Sequence, residues 1–175
     1  MEIGRGLWLS RAARIAKLAD VADCFRGSNC QVRRVPANHR MRLTVTDEYP
    51  EQYREGLRLF NEEEFFECHD VLEELWSEST GAERKFLQGL IQASISLFHF
   101  GNENFGGAKK LYISARKNLD PFGDRFMGLE LGSFLQDYQS CFQELLDNTE
   151  DYPTTVSLQD ELVPKLRMIV EGGVE

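Results

Sequence analysis

Two residues one helical turn apart, His69 and Glu73, have the types and spacing that could do chemistry. Read as a helix, Phe60 to Trp76 places apolar side chains on one arc and acidic side chains on most of the other. His69 and Glu73 fall on the apolar side, next to Phe66 and Trp76. A buried imidazole and carboxylate each need a hydrogen-bonding partner or a metal ion. We therefore take His69 and Glu73 as candidate catalytic residues.

A polar stripe on the next predicted helix, Ala82 to Gly101, could complete this site. The helix is apolar on nearly all other sides, which is typical of the central helix of a bundle. If it packs antiparallel to the helix before it, Gln92 comes nearly level with His69, and His99 lies about 9 Å further along at 1.5 Å per residue. The candidate ligand-binding residues are Gln88, Gln92, His99 and Trp76.

The same residues support two interpretations. In the functional one, His69 is a base or a ligand, Glu73 orients it, and the glutamines bind a small molecule. In the structural one, the polar groups satisfy each other and fix the register of two packed helices. The sequence favours the structural interpretation and leaves the functional one open.

A metal ion is the weaker cofactor hypothesis, and the sequence requires no cofactor. A site needs three or more ligands of compatible geometry. The weak candidates are His69, Glu73 and His99, with Glu62 toward one end. The sequence lacks HExxH and the repeated ExxH motifs of di-iron bundles.

Charge divides the chain into two parts. Residues 1–46 hold nine Arg or Lys and three Asp or Glu, whereas the other 129 residues hold eleven and twenty-six. This predicts a basic N-terminal extension, residues 1–46, and one acidic domain, residues 47–175. The net charge of -9 argues against nucleic acid as a partner. No apolar run approaches the roughly 20 residues of a membrane span.

The extension has three interpretations. It could be an organelle transit segment, a helix docked on the domain, or a translated upstream extension preceding Met41, which we favour. Four cysteines without a CxxC pair indicate reduced thiols. We expect a cytoplasmic protein, or one of the plastid stroma if residues 1–46 are a transit peptide.

Hydrophobic periodicity predicts an all-α fold, a compact bundle of about five to six helices arranged as antiparallel hairpins. Asn61 is the predicted N-cap of the second helix, and Asn102 or Asn104 that of the fourth. The fifth helix is predicted at Leu129 to Leu146 and a short last one at Leu158 to Val170.

A weak two-copy echo of a helical hairpin occurs at an offset of forty residues. The aligned pairs are Phe60 with Phe100, Glu63 with Glu103, Phe65 with Phe105, and Val71 with Leu111.

The segments FNEEEFFECHDVLEELW, FLQGLIQ and HFGNENFGGA resemble the helical proteins catalogued as domain of unknown function family 309. The resemblance covers about Tyr53 to Leu119, which is the signature core; Cys68 and Asp70 replace the commoner Ala and Glu. The matching residues are Phe60, Asn61, Phe65, Phe66, Glu67, His69, Leu72, Glu73, Trp76, Phe86, Gln88, Gly89, Gln92, His99, Gly107 and Ala108. The resemblance implies an all-helical bundle and an intracellular protein of bacteria, archaea or plastid-bearing organisms. It implies no activity, because the family has none assigned.

These observations lead to a functional prediction with one alternative. We predict a non-catalytic binding or scaffold module with a buried His/Glu/Gln cluster, more in keeping with the sequence than an enzyme. The alternative is a small metal-assisted or acid–base hydrolase-like enzyme centred on His69 and Glu73. A small ligand, a protein partner and a homo-oligomer all remain open as partners.

Overall fold

The computed structural model describes residues 49–148 and 156–169. Within those ranges the chain forms five α-helices that pack against one another, which confirms the predicted all-α bundle. The helices are α1 (Glu51–Asn61), α2 (Phe65–Glu78), α3 (Gly81–Gly101), α4 (Phe105–Leu119) and α5 (Leu131–Asp147). Short 3-10 turns lie at Asp120–Phe122 and Asp160–Leu162. No helix in the described ranges is long and apolar enough to cross a membrane.

Successive helices run antiparallel, as contacts at matching distances from each turn show. Leu72 of α2 lies against Gly56 of α1, where an added Cβ would come 2.5 Å from the leucine Cδ2. Further along α2, the ring of Phe66 packs on Phe98 of α3, with 5.5 Å between centroids. Gly89 of α3 likewise leaves room for Leu119 near the end of α4. Small residues at these crossings let the helices approach closely.

α3 is the central helix, as its sequence predicts. From Phe86 to Phe100 every residue is buried except Gln88 and His99, which are half-buried. Both lie on the polar stripe, so the stripe is the line along which α3 approaches solvent. Because α2 and α4 each pack on α3, this line is flanked by those two helices.

The helix ends agree with the sequence in one case and differ in another. Asn104 is the N-cap of α4, and its side chain accepts a hydrogen bond from Gly107 N at 3.1 Å. Asn61, the predicted cap of α2, is instead the last residue of α1, and Glu64 occupies the capping position. The three residues between the helices form the turn, so α2 begins later than predicted.

A two-stranded antiparallel ribbon, β1 (Arg125–Phe126) and β2 (Leu129–Glu130), precedes α5. The prediction that the fifth helix begins at Leu129 was therefore wrong by two residues. Leu129 is also bridged to Met168, and Glu130 N donates to Arg167 O at 3.0 Å. Strand β2 therefore pairs with β1 and also forms backbone contacts with Arg167 and Met168.

The predicted last helix, Leu158 to Val170, is wrong within the described residues 156–169, which contain one 3-10 turn, one isolated β-bridge at Met168 and otherwise no regular secondary structure. Pro164 cannot donate within a helix, and the backbone beyond it finds partners elsewhere. The Asn61 side chain forms two hydrogen bonds with the backbone of Leu166. Its Nδ2 donates to the Leu166 carbonyl oxygen at 2.8 Å, and its Oδ1 accepts from the Leu166 N–H at 2.7 Å. Tertiary contacts thus replace helical hydrogen bonds. The predicted extension, residues 1–46, lies outside the described residues.

Candidate functional site

His69 lies on the inner face of α2 with 3% of its surface exposed. Its Nδ1 is hydrogen-bonded to the carbonyl oxygen of Phe66, one turn earlier. A carbonyl can only accept, so Nδ1 carries a proton and donates it. Nε2 lies 3.3 Å from Oδ1 of Asp70, a residue that periodicity assigns to the outer arc of the helix. Helical periodicity gave no reason to select Asp70.

Glu73 is half-buried beside this histidine. Loss of solvent raises the pKa of its carboxyl; His69 lowers it and Asp70 raises it further. Within residues 49–148 and 156–169 the Glu73 side chain forms no hydrogen bond. Asp70, rather than Glu73, is thus the carboxylate within reach of His69 Nε2.

Trp76 lies one turn beyond Glu73; its ring is covered by Arg84, and its indole N–H has no hydrogen-bond acceptor within the described residues. The guanidinium carbon of Arg84 lies 3.6 Å from the ring centroid, which is a cation–π arrangement. Arg84 Nη1 also donates to the carbonyl oxygen of Trp76 at 2.8 Å, holding the end of α2 to the start of α3. The indole Nε1 is buried and has no acceptor in the part of the chain that the structure describes.

The α3 stripe meets α2 and α4 at different residues. Contacts of Phe66 with Phe98 and of Trp76 with Arg84 fix the register. At 1.5 Å per residue this register brings Gln92 about level with His69. Gln92, however, is turned toward α4, where its Oε1 accepts from Asn118 Nδ2 at 2.9 Å.

Gln88 comes level with Glu73 in the same register and is half-buried. Its side chain has no hydrogen bond within the described residues. Three side chains with polar groups that lack a hydrogen-bonding partner within the described residues thus lie on neighbouring parts of α2 and α3: Glu73, Trp76 and Gln88. We call these three residues the α2–α3 polar site.

His99 stands apart from His69, at the opposite end of the stripe. The Asn104 amide Nδ2 lies 3.1 Å from its Nδ1, and burial lowers the pKa of the imidazole. An amide donor at Nδ1 suits the neutral ring. Helical periodicity alone revealed neither of these two asparagine partners: Asn104 is the N-cap of α4 and contacts His99 across the turn, whereas Asn118 lies on α4 and reaches the stripe only once that helix has packed.

The potential metal ligands are not gathered into one group. Among the residues described, no three His, Cys, Asp or Glu side chains are placed to hold an ion together. Glu62 is paired with Arg58 on α1. Cys68 is a buried free thiol, and burial raises its pKa to about 12, so it remains protonated at neutral pH.

The fold and the site together define a class: a small all-α bundle whose central helix carries a polar stripe facing two neighbouring helices. Residues 53–111 match the family model described as Domain of unknown function (DUF309), which confirms the resemblance over that segment. The matched segment contains all six candidate site residues.

Two relatives extend the similarity. The chain is 33% identical over 101 residues to "Uncharacterized protein YpuF" of Bacillus subtilis (strain 168), covering 55% of this chain and 58% of the relative. It is 28% identical over 117 residues to an "Uncharacterized protein" of Aquifex aeolicus (strain VF5), covering 66% of this chain and 34% of the relative. The chain thus matches less than two thirds of the length of either relative.

Proposed function

We propose that this protein is a non-catalytic helical binding module that holds a small ligand at the α2–α3 polar site. The observation that carries the proposal is the buried Trp76 Nε1, which lacks an acceptor in the described part of the chain. A buried donor without a partner costs about 1–3 kcal/mol. A ligand that offers an acceptor there would recover this energy on binding.

The neighbouring groups indicate what such a ligand would carry. Glu73 is a half-buried carboxylate with a raised pKa, and no donor reaches it within residues 49–148 or 156–169. A ligand with an acceptor for Trp76 and an N–H or O–H donor for Glu73, such as an amide, satisfies both. Arg84 stacks on the indole and holds the ring in place, so Nε1 is preorganised.

The placement of the reactive groups favours binding over the hydrolase-like alternative. The His69 side chain is only 4% exposed; its Nδ1 is hydrogen-bonded to Phe66, and its Nε2 faces Asp70 at 3.3 Å. A general base must come within hydrogen-bond reach of the substrate. Glu73, by contrast, is partly open to solvent. His69 serves best as a support for α2, and Glu73 as a ligand contact.

The test compares closely matched variants of the full-length protein. Native mass spectrometry of protein purified from cell extract measures retained small molecules, and a thermal-shift screen with amide-bearing compounds measures binding directly. Trp76→Phe keeps an aromatic ring but removes the N–H donor together with the second ring of the indole. We expect it to retain the fold and lose ligand occupancy.

Glu73→Gln should also weaken binding, whereas Glu74→Gln, an equal charge change at an exposed neighbour, should not. Undiminished occupancy in Trp76→Phe contradicts the proposal. So does a wild-type protein that retains no molecule and responds to no compound in the screen. Turnover abolished by His69→Gln with the fold intact would instead support the enzyme alternative.

A further inference from the structure

A polar pocket lies outside the segment that matches the family, between the end of α4 and the start of α5. Its volume is about 330 Å³, which is within the range of small-molecule sites. It is lined mainly by charged and amide side chains. The polar lining residues are Arg116, Asp120, Asp124, Gln136 and Gln139.

Arg116 is held in place by acceptors of the protein itself. Its Nε donates to Asp120 Oδ1 at 2.8 Å, and its Nη1 donates to the Leu135 carbonyl oxygen at 3.1 Å and lies 3.4 Å from Gln139 Oε1. The Arg116 side chain is 25% exposed. Its charge is therefore largely compensated before any ligand arrives, and it acts to position Asp120 rather than to attract an anion.

Asp124 contributes the uncompensated charge. In the described ranges its carboxylate forms no ion pair. Gly132 N, in the first turn of α5, donates to the Asp124 carbonyl oxygen at 3.0 Å. A Cβ at Gly132 would lie 2.8 Å from Asp124 Oδ1, so this glycine gives the carboxylate its space. Gly123, with φ of +71°, allows the turn that places Asp124 there.

We propose that this pocket binds a small aliphatic ammonium ion. One guanidinium and two carboxylates give the lining a net charge of -1, in a chain whose net charge is -9. Asp124 accepts the charge-assisted hydrogen bond from the ammonium group, and the side-chain amide oxygen of Gln136 is an additional acceptor. This site is separate from the α2–α3 polar site and does not depend on it.

The experiment is calorimetric titration of the full-length protein with n-butylamine and 1,4-diaminobutane at near-physiological salt. The neutral 1,4-butanediol and the anionic succinate are controls of similar length. We expect binding of at least one amine at one site per chain and none of the diol or the dianion. Amide NMR shifts should concentrate in residues 116–139.

Asp124→Asn should weaken amine binding about tenfold, since one charge-assisted contact is removed. Glu74→Gln, the same charge change at an exposed residue of α2, should leave amine binding unchanged. Unaltered circular dichroism and melting of Asp124→Asn establish that the fold is retained. The proposal is overturned if neither amine binds, if the diol binds equally, if both variants weaken binding alike, or if the shifts fall elsewhere.

Discussion

Glu63 and Glu103, forty residues apart, occupy the same position in two turns of the same type. Their φ angles are 65° and 59°, in the left-handed region that glycine favours. In the first turn the residue after the glutamate donates back to Leu59 O at 2.9 Å, and in the second the equivalent bond reaches His99 O at 2.9 Å. Both are Schellman endings, of α1 and α3. The repeat echo seen in the sequence thus corresponds to a repeated helix–turn–helix.

Replacing these two glutamates by glycine should separate backbone strain from side-chain contacts. Glu103→Gly is expected to raise the free energy of unfolding by about 0.5–1 kcal/mol, because the left-handed conformation is costly for a residue with a Cβ. Glu63→Gly should raise the free energy of unfolding by less, because it also removes the ion pair between Glu63 and Lys165 at 2.9 Å. Urea denaturation measures both; equal gains would show that the Lys165 pair contributes nothing.

Two glycines should respond in opposite directions to alanine. At Gly89 a Cβ would lie 2.6 Å from Cδ2 of the fully buried Leu119, so Gly89→Ala is expected to destabilise by about 1–3 kcal/mol. At Gly106, nothing lies within 4 Å of the added methyl group. Gly106→Ala should therefore stabilise by about 0.5–1 kcal/mol through helix propensity. Thermal melts of both variants check the contrast, which fails if Gly89→Ala is neutral.

Asn61 should control the local stability of the segment around Leu166. Asn61→Ala removes both side-chain hydrogen bonds to that backbone, so the Leu166 amide is expected to exchange with deuterium faster than in wild type. Asn61→Asp keeps an acceptor for the Leu166 N–H and should give an intermediate rate. Hydrogen-exchange mass spectrometry of peptides containing Leu166 measures the effect. Unchanged exchange in Asn61→Ala would mean that other contacts hold this segment.

The Glu73 carboxyl should make stability depend on pH. Burial raises its pKa in the folded protein, so the folded state holds the proton more tightly than the unfolded chain. Proton binding by Glu73 therefore stabilises the folded protein at a pH below the pKa of this carboxyl in the unfolded chain. This stabilisation is lost as the pH rises through the pKa of Glu73 in the folded protein. Glu73→Gln should therefore be more stable than wild type at pH 7, by less than about 1 kcal/mol because the group is partly solvated.

The advantage of Glu73→Gln should disappear near pH 4, where Glu73 is protonated. Denaturant unfolding at both pH values measures the difference, and Glu74→Gln on the exposed face is the control. A constant difference across this pH range would contradict the raised pKa.

The amino-acid sequence by itself determined the helices and their order in the signature core. Apolar residues at helical spacing identified α3 as central, and Phe60 and Phe100 marked equivalent positions in the two copies of the repeated unit. These features are local, because periodicity, turn residues and capping depend on neighbours within about one or two helical turns. The same locality placed His69 and Glu73 on one face of α2.

Only the tertiary structure decided which polar groups meet. Gln92 is level with His69 as the spacing predicts, yet its partner is Asn118, because α4 packs on that side of α3. Asn61 is a residue type that often caps helices, but its side chain instead forms hydrogen bonds with the backbone of Leu166, 105 residues away. Extended backbone near Met168 replaces a predicted helix for the same reason. Hydrogen bonds between distant segments form only when the chain has packed. They cannot be predicted from the preferences of neighbouring residues in the sequence.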